Sequence, residues 1–176
     1  PLKAMNPLAA QDAGISTVYQ EVNLCPNLSV AENIFIGREP RRFGRIQWKE
    51  LNRKADQLLQ ERLRLKIDVT RSLDSYSVAV QQLVAIARAL NISAKIVILD
   101  EPTSSLDRSE VKELFRVMRH LKEQGLAILF VTHFLDQVYE ITDRITILRN
   151  GEFIGEHMTQ ELTKIELVSH MIGKDL

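Results

Sequence analysis

Cys25 is the only thiol in these 176 residues. One cysteine excludes an intrachain disulfide framework and a multi-cysteine zinc site, and it fits a reducing compartment, with the cytoplasm as the expected setting. Charge of one sign is also lacking: Lys and Arg total 23 and Asp and Glu total 23. No overall basic field therefore draws in nucleic acid or an acidic membrane surface, and any such contact has to be local. The longest aliphatic runs, 96–99 and 126–131, fall far short of the ~20 apolar residues a membrane-spanning helix needs. Repeats and low-complexity tracts are missing, and the stretch 1–11 has neither the basic start nor the apolar core of a targeting signal. The first residue is Pro1 rather than methionine, so the left edge reads as cut rather than natural. The length accommodates one sizeable core.

What is present alternates between strand and helix patterns. Residues 14–19 have the β-branched content of a strand (Ile15, Thr17, Val18), which ends at the polar pair Gln20 and Glu21. The stretch 38–45, with four arginines, Pro40 and Gly44, reads as an exposed loop. From Trp48 onward Leu51, Ala55, Leu58, Leu59 and Leu63 mark one face of an amphipathic helix. A second helix starts near Ser77, placed to cap its free amides, and runs through Ile86, Ala87 and Leu90. Residues 96–99 are continuously apolar, as in a strand buried on both faces of a parallel sheet, and end in Asp100-Glu101-Pro102. Asp107 and Glu110 form a capping pair for a helix whose buried face is Val111, Leu114, Phe115, Met118 and Leu121, closed by Gly125. Residues 126–131 read as the next buried strand, stopping at Thr132-His133, and this strand-helix-strand order implies a right-handed parallel crossover. Asn150-Gly151, flanked by 145–148 and 152–154, is a two-residue hairpin signal.

In an open parallel sheet, ligands bind at the carboxyl ends of the strands. Three strand ends here carry Gln20, Asp100 with Glu101, and His133, a polar set expected to converge on one edge. Successive residues leaving a strand point in opposite directions, so Asp100 and Glu101 serve different atoms. Each has a blander reading: strand-end acids in solvent, a structural histidine, an ordinary loop amide at Gln20, a helix cap at Asp107. Arg38, Arg41, Arg42 and Arg45 read as a solvated loop more readily than as a phosphate-contacting patch.

Taken together the motifs are specific. Ile96 to Thr103 reads IVILDEPT and continues into Ser104-Ser105-Leu106-Asp107, with His133 after a further strand. This resembles the Walker B motif, D-loop and switch histidine of the ATP-binding cassette (ABC) family. Tyr19-Gln20 resembles its Q-loop, and Ser77-Val78-Ala79-Val80-Gln81-Gln82 holds the place of its signature helix. The resemblance implies an α/β, three-layer parallel-sheet P-loop NTPase core with an inserted helical subdomain: 1–24 as strand and Q-loop, 25–92 as helical subdomain, 93–176 as the rest of the core. It implies ATP and Mg2+ as ligands, with Asp100 and Gln20 at the metal and Glu101 polarising the attacking water. His133 and Ser77 would meet γ-phosphates, Ser77 that of the opposite domain, and Asp107 would reach across a dimer interface. The stretch 30–40 and the ending 170–176 resemble the first cassette of bacterial monosaccharide (ribose/galactose-type) import ATP-binding proteins. The implied partners are transmembrane permease subunits, a second nucleotide-binding domain normally in the same chain, and a periplasmic sugar-binding protein acting through the permease. Nucleic acid is not among them, and the implied location is the cytoplasmic face of the bacterial inner membrane, peripherally bound.

Two departures weigh on that resemblance. Val78-Ala79-Val80 stands where the signature usually has Gly-Gly-Gln, removing glycine's close backbone approach and a polar side chain. The seven glycines, at 14, 37, 44, 125, 151, 155 and 173, do not provide a Gly-x-x-x-x-Gly-Lys-Ser/Thr loop, so these residues hold no amide cradle or lysine for the β- and γ-phosphates. The expectations that follow are a partly uncovered sheet, marginal folding in isolation, weak ATP binding and negligible hydrolysis by this chain alone. A catalytically inactive truncated cassette serving only as an interaction module is the alternative; a soluble cassette acting on DNA or ribosomes fits the neutral charge less well.

Overall fold

The computed structural model describes residues 6–20 and 23–173; Glu21 and the ending Lys174-Asp175-Leu176 lie outside the described residues. The chain divides between Val131 and Thr132 into two compact units.

The first unit is built on a parallel sheet in the order β1-β4-β5, where β1 is Ile15–Val18, β4 is Ile96–Asp100 and β5 is Ala127–Val131. Val18 pairs with Leu99 and Leu99 with Phe130, so one face carries Ser16, Val18, Val97, Leu99, Ile128 and Phe130. Helix α5 (Arg108–Glu123) covers this face, with Phe115 meeting Phe130 edge to face at 5.9 Å between ring centroids. The opposite face is far more open: Ile15, Thr17, Ile96 and Ile98 are half-buried, while Leu129 is 51% and Val131 43% exposed. This corrects two expectations, that 96–99 is buried on both faces and that 126–131 forms a buried strand. β5 is an edge strand covered on one face only, and the alternation of its exposure records that. The partly uncovered sheet face matches expectation.

A helical layer adjoins the sheet. Helices α1 (Pro7–Asp12), α2 (Val30–Phe35), α3 (Trp48–Leu63) and α4 (Val78–Leu90) belong to this unit; α2, α3 and α4 pack on one another, and α4 also reaches β1. Leu51, Ala55, Leu59 and Leu63 of α3 are fully buried, an i, i+4 stripe that becomes one wall of the core. Leu73, in a single 3-10 turn (Leu73–Ser75), is also fully buried, and its N–H donates to the Leu28 carbonyl at 2.9 Å just ahead of α2. The arginine-rich stretch between α2 and α3 is exposed as expected, yet it is ordered as a miniature hairpin of β2 (Arg41–Arg42) and β3 (Arg45–Ile46). The crossover from β4 through α5 to β5 is parallel, and α5 ends where Gly125 takes a left-handed φ of 86°.

The second unit contains α6 (Leu135–Ile141), β6 (Arg144–Arg149), β7 (Glu152–Met158) and α7 (Lys164–Ile172). The antiparallel β6–β7 pair turns at Asn150-Gly151, whose φ values of 53° and 80° are those of a primed hairpin turn. Ile145, Ile147, Leu162 and Leu167 form its core, flanked by Leu135, Val138, Tyr139 and Ile154. No helix among the described residues is long and apolar enough to cross a membrane.

Candidate functional site

Parallel pairing with no offset makes β1 and β4 end at the same edge. Gln20 lies two residues beyond Val18, which pairs with Leu99; Asp100 is the next residue after Leu99 and pairs with Val131. Gln20, Asp100 and Glu101 therefore share the carboxyl edge of the sheet, where Gln20 is exposed and both acids are half-buried. At Glu101 the chain leaves the strand abruptly. Its φ of 49° lies in the left-handed region, an uncommon conformation for a side-chain-bearing residue, and its N–H donates to the Val131 carbonyl at 2.9 Å. Asp100 and Glu101 are thus directed differently by both strand alternation and this turn.

The six residues that follow make a tight loop into α5. Ser104 N–H donates to the Glu101 carbonyl at 3.2 Å and Leu106 N–H to that of Thr103 at 3.2 Å. Asp107 then caps the helix: its carboxylate accepts from the N–H groups of Ser109 (2.7 Å) and Glu110 (2.9 Å), and Glu110 accepts from the Asp107 N–H at 3.0 Å. The backbone N–H of Glu110, then the hydroxyl and N–H of Ser109, hold the Asp107 carboxyl below its ordinary pKa. Ser77 caps α4, its hydroxyl oxygen accepting from Val80 N–H at 3.5 Å, and Gln81 Nε2 donates to the Tyr76 carbonyl at 2.9 Å. The caps expected at Ser77 and Asp107 are both present. Around Ser77 the first turn is apolar, with Val78 47% exposed and Ala79 and Val80 half-buried.

His133 belongs to the second unit. It follows β5 by two residues, and its ring is tilted 39° against Phe134 with 4.0 Å between centroids. Thr132 Oγ1 accepts from the Phe134 N–H at 3.1 Å, shaping the entry to α6. The β1–β4 pairing thus gathers Gln20, Asp100 and Glu101; it does not involve His133, Ser77 or Asp107.

Among the described residues no three His, Cys, Asp or Glu side chains cluster as a self-sufficient metal site. The donor set at the sheet edge still suits Mg2+, which is usually held by one or two carboxylates plus waters and substrate phosphates rather than by an all-protein cage. Asp100 at the strand end would supply the carboxylate and Gln20 a neutral oxygen. For the phosphates the residues present are an incomplete set, since no amide cradle accompanies them.

Sequence reasoning missed the residues that brace this edge. Arg88 on α4 donates through Nη1 to the Asn23 carbonyl at 2.6 Å, tying the helix to the loop beyond Gln20, and burial lowers the guanidinium's pKa. Asn33, 1% exposed on α2, accepts from Cys25 N–H at 2.8 Å and donates to the carbonyls of Cys25, Leu28 and Ser29, so one amide folds the same loop back. The available signals were a lone arginine in Ala85-Ile86-Ala87-Arg88-Ala89-Leu90 and an asparagine beside apolar helix positions.

Comparison with known proteins finds relatives over almost the whole chain. The galactofuranose transporter ATP-binding protein YtfR of Escherichia coli (strain K12) is 56% identical over 171 residues, 97% of this chain and 34% of the relative. The fructose import ATP-binding protein FruK of Bifidobacterium longum is 56% identical over 174 residues, 99% of this chain and again 34% of the relative. The chain thus spans about a third of the length of these curated relatives. Among solved structures, the ADP conformation of an ATP-binding cassette from an ABC transporter superposes with a TM-score of 0.77 at 25% identity, covering 96% of this chain and 72% of that one. A putative metal-chelate type ABC transporter, in an inward-facing conformation, gives a TM-score of 0.75 at 26% identity over 91% of this chain and 64% of that one. The family model for the ABC transporter matches residues 2–104, more than half the chain, and with the strand-end acids, the paired helix caps and the superposed fold it places this protein in the ABC transporter family.

Proposed function

We propose that this chain is part of the ATP-hydrolysing subunit of an ABC importer that couples ATP hydrolysis to uptake of a monosaccharide across the bacterial inner membrane, working from its cytoplasmic face. The observation that carries the reading is the shared carboxyl edge of β1 and β4, which collects Gln20, Asp100 and Glu101. Relatives named for galactofuranose, fructose and ribose import supply the cargo class. Asp100, through water, and Gln20 would hold Mg2+, whose charge would offset that on the β- and γ-phosphate oxygens. Glu101, turned away from Asp100 by the left-handed residue conformation, accepts a proton from and orients the attacking water. His133 donates a hydrogen bond to the γ-phosphate as its charge grows. Ser77 serves the γ-phosphate held by a second cassette, through the amides at the start of α4, and Asp107 faces that second domain. Permease subunits and a periplasmic sugar-binding protein complete the assembly.

A second reading is favoured by one observation: Val78-Ala79-Val80 makes the first turn of α4, beside Ser77, wholly apolar. On that reading the chain is a catalytically inactive interaction module. A chimera separates the two. The matching third of the E. coli galactofuranose transporter ATP-binding protein is replaced by this chain, and sugar uptake and ATP turnover are measured. Uptake near the parental rate supports the hydrolysing subunit; a folded chimera that assembles with its permease but does not turn over ATP supports the interaction module and overturns the primary proposal.

A further inference from the structure

The β2–β3 hairpin carries features that cost folding free energy. Arg42 and Arg45 are direct cross-strand partners, and like charges placed opposite one another destabilise a strand pair. Phe43, at the turn, is 92% exposed and held at φ 50°, a left-handed conformation unfavourable for a bulky residue. Beside it, a Cβ built on Gly44 would meet nothing within 4 Å, so the apex projects into open space. Arg42 leans over the Phe43 ring at 5.4 Å from its centroid. Four arginines stand against one glutamate between residues 38 and 45. Glu39 pairs with Arg41 at 3.3 Å, and Arg38, Arg42 and Arg45 have no carboxylate partner among the described residues. In the flanking chain Ile36 is 44% and Trp48 51% exposed.

A convex tip with an apolar apex and a cationic collar has a definite complement. An acidic protein groove would need fixed carboxylates matched to each arginine and a pocket for the ring. Arginines leaving the apex from both strands fit better a fluid array of phosphates that rearranges around them, with an apolar boundary just beneath for the phenyl ring. The chain's overall neutrality confines such attraction to this patch. We propose that the β2–β3 hairpin docks on an anionic phospholipid surface, with Phe43 entering the headgroup boundary and Arg42 and Arg45 meeting lipid phosphates. The proposal is independent of ATP hydrolysis and stands or falls on its own.

The test is co-sedimentation of the full chain with phosphatidylcholine vesicles, with and without phosphatidylglycerol, across a salt series. A polyglutamate arm reports on an acidic polypeptide partner. Binding is expected only to the phosphatidylglycerol vesicles, and it weakens as salt rises. An arginine near an anionic surface is worth about fivefold in partition, so Arg42→Ala/Arg45→Ala together should weaken binding about 25-fold. Arg42→Lys/Arg45→Lys keeps the charge and should stay within a few-fold of the parent. In a Trp48→Phe background, Phe43→Trp places the sole indole at the apex, and its emission should shift to the blue on vesicle addition. Equal binding to both vesicle types, no loss in the alanine pair with its far-ultraviolet circular dichroism intact, an unshifted emission from the Phe43→Trp variant, or polyglutamate bound in preference to vesicles would each overturn the proposal. Should the alanine pair unfold, the emission shift and the salt series decide alone.

Discussion

Truncating Phe115 and truncating Leu129 remove side chains from opposite faces of one sheet, and the two losses should differ several-fold. Phe115 is fully buried and packs edge to face on Phe130 at 5.9 Å. Phe115→Ala forfeits its transfer free energy and leaves a void under α5, about 3–5 kcal/mol in all, of which the ring pair accounts for ~0.5–1.5. Leu129 is 51% exposed on the uncovered face of β5, so Leu129→Ala opens no cavity and should cost below about 1 kcal/mol. With total stability of about 5–15 kcal/mol, the first change consumes a large part of the margin and the second little. For a chain of this size ~1 kcal/mol moves Tm by roughly 2–4 °C, so Phe115→Ala should melt about 6–20 °C lower. Urea titration followed by far-ultraviolet circular dichroism reads both, provided the slope is unchanged between variants. Equal losses, or a larger one at Leu129, would mean that the open face is packed in solution and that the single-sided sheet described above is wrong.

Other outcomes follow from particular contacts. Gly151→Val forces a β-branched residue to φ 80° in the β6–β7 turn and should cost about 1–3 kcal/mol, visible as faster amide exchange confined to β6 and β7. Acid should destabilise the chain. Glu113 is held below its ordinary pKa of 4.5 by the hydrogen bond from Arg116, Glu166 likewise by the Thr163 hydroxyl, and Asp107 below 3.8 by the Glu110 N–H. Because these folded-state values are depressed, the unfolded chain takes up protons first; their contribution is present above the ordinary carboxylate range and is lost as pH falls through the folded values. The urea midpoint should be flat near neutrality and decline below about pH 4, and a midpoint that rises there would refute the assignment. Val80→Gln restores a polar side chain at a half-buried position of the signature helix, so it should leave Tm within a few degrees and raise ATP turnover in the chimera; a fall in turnover would show that Val80 suits its site.

Helices α3 and α5 were legible because each has a repeating apolar pattern long enough to set a face, the α3 stripe at 51, 55, 59 and 63 being fully buried; β4 was legible as a short continuous apolar run, which does not say which face is covered. The short helices were not. α2 has six residues and α7 nine, too few for periodicity to stand out, although the capping boxes at Ser29–Glu32 and Thr163–Glu166 announce both. Asn6 followed by Pro7 announces α1 in the same way. Apolar content alone misled at 126–131, because a hydrophobic run states what a strand could bury and not which neighbours are there to cover it. Strand-end position anticipated that Gln20, Asp100 and Glu101 share one sheet edge; the convergence expected of His133 is not part of the β1–β4 pairing. The braces at Arg88 and Asn33 depend on backbone carbonyls of a loop whose course no residue pattern specifies.

Hydrolysis of ATP by the chimera with Glu101→Gln addresses the central claim most directly. The amide keeps the shape of the side chain at the strand-end turn but cannot take a proton from water, so turnover should fall by about 10²–10⁴-fold while ATP binding is kept. Turnover at the parental rate in the Glu101→Gln chimera would contradict a catalytic carboxylate at the carboxyl end of β4.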